Sequence, residues 1–145
     1  DFTCLGEGLS LVNLSASAGK PRIFSVVPSL DTPVCSEQTK KFQESLASHG
    51  DQLTWYTVSL DLPFAQGRFC TEAGTNSTKT LSDVHNHSFG ENWGVLLEGL
   101  PLPLLTRAVF VVDANGKITH AEYVGEVTDH PNYDAALDAV KNVVG

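Results

Sequence analysis

Cysteine is the residue type in this chain best able to do covalent redox chemistry, and of the three present, Cys35 has the most telling surroundings. It closes the stretch Pro28-Ser29-Leu30-Asp31-Thr32-Pro33-Val34-Cys35. Before that stretch, Ile23-Phe24-Ser25-Val26-Val27 is a short β-branched and aromatic run ended by proline, which predicts a buried strand. After it, Thr32 reads as an N-cap and Pro33 as a first helical residue. Phe42 and Leu46 then recur at a four-residue interval, and Gly50 provides the stop. Cys35 is thereby expected in the first turn of a helix. Unpaired N–H groups and the positive end of the helix dipole favour the thiolate there, the nucleophilic form. The residues alone leave open a buried core thiol, since free cysteine is commonly buried.

The elements that must hold this turn follow from patterning. Leu53-Thr54-Trp55-Tyr56-Thr57-Val58-Ser59-Leu60 predicts a second strand, so that the Cys35 helix becomes the crossover of a parallel β-α-β unit. Asp61 precedes Leu62-Pro63-Phe64-Ala65-Gln66-Gly67-Arg68-Phe69-Cys70 and reads as the cap of a short helix with Cys70 at its far end. Residues 71–77 read as a loop and 78–81 as a brief strand. Phe89 and Trp93 predict a short helix within 85–95, and 96–105 reads as a proline-interrupted loop. Arg107-Ala108-Val109-Phe110-Val111-Val112 predicts a buried strand, turned back by Asp113-Ala114-Asn115-Gly116 into 117–124, and Leu137, Val140 and Val144 mark one face of a closing helix. At the start, Leu9, Leu11 and Leu14 suggest a short edge strand or turn. The order predicts an α/β, thioredoxin-like fold with a mixed central sheet and helices on both faces.

Composition narrows the classes. The 145 residues, 41% hydrophobic, suit one domain spanning 1–145. A net charge of −8 with only nine Lys and Arg argues against a nucleic-acid surface or an anionic membrane, and no apolar run is long enough for a bilayer span. The cysteines are too few and too scattered for a disulfide scaffold. His85-x-His87 lacks a visible third ligand and reads as solvated, so neither metal nor cofactor is expected. Cys4 has no basic neighbour and reads as a buried, unreactive thiol. Asp61 and Asp83 read as caps or surface charges.

Pro28, Thr32 and Cys35 form the pattern Pro-x-x-x-Thr-x-x-Cys of the peroxiredoxins. Together with Asp61-Leu62-Pro63-Phe64-Ala65-Gln66-Gly67-Arg68-Phe69-Cys70, the Arg107 strand and Tyr133-Asp134-Ala135-Ala136-Leu137, the chain resembles the bacterial thiol peroxidase subfamily over nearly its whole length. That resemblance implies a peroxidatic Cys35 that reduces hydrogen peroxide and organic hydroperoxides. It implies a resolving Cys70 that closes an intramolecular disulfide, and thioredoxin as the reductant. Thr32 and Arg107 would supply the donors that align the peroxide and stabilise the developing charge, and Pro28 would shield the sulfur. Because the two thiols lie on different helices, disulfide closure requires both segments to loosen. The resemblance further implies a homodimer. The family's usual N-terminal hairpin is expected to be missing ahead of Asp1, and Cys4 matches neither redox cysteine of the family. Reducible thiols fit a bacterial cytoplasm, with the periplasm left open.

Two other functions compete. A thioredoxin-type disulfide oxidoreductase normally carries Cys-x-x-Cys, whereas Cys35 is followed by Ser36-Glu37-Gln38. A binding module that keeps the scaffold without catalysis is the other.

Overall fold

In the computed structural model, which describes residues 1–75, 77–97, 99–126 and 128–144, the apolar runs of the sequence become the centre of one sheet. Its strands are β1 (Thr3–Leu5), β2 (Leu11–Asn13), β3 (Arg22–Val26), β4 (Thr54–Ser59) and β5 (Lys79–Ser82), followed later in the chain by β8 (Ala108–Val112) and β9 (Ile118–Tyr123). The helices are α1 (Pro33–Leu46), α2 (Pro63–Ala73), α3 (Ser88–Asn92) and α4 (Tyr133–Val144). Two short strands, β6 (Leu96–Leu97) and β7 (Leu104–Leu105), pair with each other apart from the main sheet. The sheet order is β2-β1-β5-β4-β3-β8-β9; β3 runs parallel to β4 and antiparallel to β8. This is the mixed sheet expected of a thioredoxin-like fold.

The alternation of side chains along each strand divides the core. Phe24, Val26, Tyr56, Val58, Phe110 and Val112 face one way and pack with Phe2, Leu81, Phe89 and Leu105. Ile23, Trp55, Val109 and Val111 face the other way, covered by Phe42 and Leu46 of α1 and by Ala136 and Val140 of α4. Helices therefore lie on both faces. Every residue of β3, β4 and β8 is buried, as expected of central strands whose two faces are both covered.

Several local expectations need correction. The segment 96–105 is not simply a loop, because Leu96 and Leu97 pair with Leu105 and Leu104; two-residue strands are too short to show a period (Glu98 lies outside the described residues). In the 71–77 segment, residues 71–73 continue α2 and Asn76 lies outside the described residues. The N-terminal segment forms an antiparallel edge hairpin, β1 with β2, in place of a single strand or turn. The cap of α2 is Leu62, not Asp61. Thr32 sits at the N-cap of α1 by its backbone, but its hydroxyl donates to the carbonyl of Ser29 at 2.9 Å and does not cap the helix. Asn115-Gly116 does not close a two-residue turn by itself: Asp113 and Lys117 pair across the loop, and the Asp113 carboxylate accepts from Asn115 and Lys117 N–H.

Candidate active site

Pro33 as the first residue of α1 puts Cys35 at its third position, and the helix is entered through the hydrogen bond from Ser36 N–H to Thr32 O at 3.0 Å. The thiol is fully buried, packed with Val27 at the end of β3, Leu30 in the connecting loop and Phe69 of α2. Pro28 is buried in the same loop, whereas Thr32 is exposed and its hydroxyl is bonded to Ser29.

A helix repeat of 3.6 residues sets Gln38 on the same face of α1 as Cys35, and Gln38 too is fully buried. Its Oε1 accepts from Nη1 of Arg107 at 2.8 Å, and its Nε2 donates to Ser25 Oγ of β3 at 2.7 Å. Arg107 immediately precedes β8 and is 1% exposed. A buried guanidinium needs fixed acceptors, and an amide is one that does not cancel its charge. Tyr133, the first residue of α4, closes the group. Burial pushes its phenol up to about 12, the Arg107 cation pulls it back down, and the neighbouring Glu37 and then Cys35 add to the rise. Tyr133 Oη is 2.7 Å from Nδ1 of His130, whose Nε2 lies 3.2 Å from the Glu37 carboxylate.

Cys70 lies in the last full turn of α2. The helix stops just beyond it at Gly74, whose φ of 70° is left-handed and whose N–H bonds back to the Cys70 carbonyl. Half-buried, Cys70 lines a cavity of about 630 Å³ with Glu7, Tyr56, Phe64, Gly67 and Thr80. Burial raises its thiol pKa, with a hydrogen bond to Thr75 opposing the rise and the Glu7 charge adding to it. Its neighbour Phe69 turns the other way, into the Cys35 cluster. Both cysteines are free thiols.

The remaining candidates separate from this site. Cys4 is fully buried, and its S–H donates to Asp83 Oδ1 at 3.4 Å; burial first, and then the Asp83 charge, hold the thiol far above its ordinary range. Asp83 is no surface charge. It is fully buried and accepts from Phe89 N–H at 2.9 Å and Gly90 N–H at 2.7 Å, thus serving the open end of α3. His85 is exposed, and among the described residues no three His, Cys, Asp or Glu side chains gather as a metal requires. Gln38 and Tyr133 were not anticipated as site residues. The one signal available for Gln38 is an uncharged polar residue on the helix face that carries Cys35.

The structure thus brings a buried cysteine at the head of a helix together with a buried arginine tied to the same helix, on a thioredoxin-like sheet. The chain belongs to the Redoxin family, whose model matches residues 1–137. The thiol peroxidase of Halalkalibacterium halodurans is 52% identical over 141 residues, 97% of this chain and 83% of that protein. The thiol peroxidase of Bacillus subtilis is 49% identical over 144 residues, 99% of this chain and 84% of that protein. The crystal structure of a peroxiredoxin-like protein from Aquifex aeolicus superimposes with a TM-score of 0.90 at 36% identity, covering 98% of this chain and 82% of that one. Within the family, the chain is a peroxidase of the peroxiredoxin type, in the thiol peroxidase branch.

Proposed function

We propose that Cys35 is the peroxidatic cysteine, Cys70 the resolving cysteine, and a thioredoxin-type dithiol protein the reductant. The observation that carries this reading is the buried chain Ser25–Gln38–Arg107, which fixes a cation beside the Cys35 helix. In the first step the Cys35 thiolate attacks one oxygen of a hydroperoxide ROOH and the O–O bond breaks. The other oxygen leaves as RO⁻, takes a proton and departs as ROH, while Cys35 becomes a sulfenic acid. Arg107 stabilises the negative charge that moves from sulfur to the leaving oxygen. The peroxide reaches the sulfur when the Phe69 side chain swings aside while the Leu30 loop stays in place, and the Thr32 hydroxyl of that loop then orients it. Pro28 walls off the loop side.

In the second step the Cys70 sulfur attacks the Cys35 sulfenic sulfur, releasing water and forming the disulfide. Thiol–disulfide exchange with the external dithiol returns both cysteines to thiols. A Cys-x-x-Cys oxidoreductase is disfavoured by Gln38: the position where the second thiol would stand is occupied by the side chain that holds Arg107. We propose further that the protein acts as a homodimer in a bacterial cytoplasm, with hydrogen peroxide and organic hydroperoxides as substrates. The test is hydroperoxide consumption in the presence of thioredoxin and its reductase. Cys35→Ser is expected to abolish turnover. Cys70→Ser is expected to react once and then stall or over-oxidise. Normal turnover by Cys35→Ser would overturn the assignment.

A further inference from the structure

The local sequence marks Asp61 as a helix cap, but the structure gives it other work. It lies between β4 and α2, two residues before the first residue of the helix that carries Cys70. Its carboxylate reaches across to the loop that leads into the Cys35 helix. Oδ1 accepts from Ser29 Oγ at 2.8 Å; Oδ2 accepts from Leu30 N–H at 2.8 Å and from Ser59 Oγ at 2.9 Å. Asp61 is itself held from behind. Its carbonyl accepts from Ser82 Oγ of β5, its N–H donates to Ser59 Oγ, and Ser59 Oγ also accepts from Nε2 of the buried Gln66. The sheet and α2 thus fix the carboxylate, and two of its three bonds tie down the Cys35 loop. Leu30, whose N–H is one of them, is part of the cover over the Cys35 sulfur.

We propose that Asp61 is a positioning residue that latches the two cysteine-bearing segments in the peroxide-reducing arrangement, and that releasing this latch gates disulfide formation. The proposal rests on the assignment of Cys35 and Cys70 given above. Both bonds from the 28–32 loop are made to a charged acceptor, which makes them stronger than bonds between neutral groups. Cys35 packs with Leu30 and Phe69, while Cys70 lines a cavity whose walls include neither Phe69 nor Cys35. For the sulfurs to meet, the Cys35 loop must come away from α2, and the Asp61 bonds to Ser29 and Leu30 must break. Reaction with peroxide needs the latch closed. Condensation of the Cys35 sulfenic acid with the Cys70 thiol, which releases water, needs it open. Asp61 therefore affects the two steps in opposite directions, which a residue serving stability alone would not do.

The experiment is a single turnover of fully reduced protein with one equivalent of hydroperoxide, quenched at intervals with a thiol-blocking reagent. Peroxide loss and Cys35–Cys70 disulfide formation are followed separately. Asp61→Ala is expected to slow the peroxide step and to raise the rate constant of disulfide formation by about tenfold or more, the size set by a lost hydrogen bond to a charged group. It is also expected to leave less over-oxidised Cys35 at excess peroxide. Ser29→Ala removes one bond and is expected to change both steps a few-fold in the same directions; it decides the matter should Asp61→Ala fold poorly. Disulfide formation at or below the wild-type rate in the folded variants overturns the latch while leaving the cysteine assignments intact. A wild-type protein that consumes peroxide without forming the Cys35–Cys70 bond overturns the assignments and the latch together.

Discussion

Replacing Gln38 by methionine probes how the site is built, because methionine nearly keeps the volume while removing the acceptor for Arg107 and the donor for Ser25. The Arg107 Nη1 contact at 2.8 Å is a buried hydrogen bond to a charged group, and Gln38 is fully buried. Such bonds contribute roughly 1.5–3 kcal/mol. If Arg107 acts on charge developing at the leaving oxygen, a comparable part of that energy appears in the barrier to peroxide reduction. At about 1.36 kcal/mol per factor of ten, the second-order rate constant is expected to fall by roughly 10- to 150-fold. Stopped-flow reaction of the reduced protein with hydroperoxide measures it, and a circular dichroism melt confirms that the variant is folded. Gln38→Glu separates position from charge: it keeps an acceptor for Arg107 but pairs the guanidinium with an anion, so it too is expected to react more slowly. A folded Gln38→Met protein with a rate constant within twofold of wild type would refute the idea that the Ser25–Gln38 pair sets the working position of Arg107.

Other consequences can be checked by simpler means. Burial raises the Tyr133 phenol to about 12 from an ordinary 10, so the folded state holds that proton where the unfolded chain has begun to lose it. Its contribution to stability is complete below pH 10 and falls away as the pH rises from about 10 to 12; denaturant melts of Tyr133→Phe should show a shallower alkaline loss. A Cβ on Gly90 would lie 2.8 Å from Leu105 Cδ2, 3.1 Å from Leu96 Cβ and 3.3 Å from Asp83 Oδ2. Gly90→Ala should therefore destabilise the protein by about 1–3 kcal/mol in urea unfolding, as overpacked core positions do. Asp83→Asn presents an amide N–H where either Phe89 or Gly90 needs an acceptor. A loss of about 1–3 kcal/mol is expected in the same assay.

How far the sequence could be read follows from the range of each interaction. β3, β4 and β8 were legible because strands buried on both faces are written as unbroken apolar runs. α1 was legible because Thr32, Pro33 and the Phe42–Leu46 spacing mark its start and its face locally. Cys35 could be placed in a first turn for the same reason. Asp61 was misread because an aspartate just ahead of a helical proline carries the same local signature whether its carboxylate turns back to cap the helix or reaches across to Ser29 and Leu30. Gln38 and Tyr133 were missed because what makes them site residues is their approach to Arg107, which the register of β3 on β8 and the docking of α4 decide. β6 and β7 were missed because two-residue strands have no period to detect. The role assigned to Thr32 as cap rested on residue type, whereas the path of the loop turns its hydroxyl to the Ser29 carbonyl.

The claim at the centre is that one peroxide oxidises Cys35 and that Cys70 captures the product. Its most direct measurement is non-reducing peptide mapping of reduced protein after one equivalent of hydroperoxide, with no reductant present. The expected result is a peptide pair joined through Cys35 and Cys70, with the Cys4 thiol free and no such pair from Cys35→Ser. A bond that includes Cys4, or peroxide consumed while Cys35 remains a thiol, would contradict it.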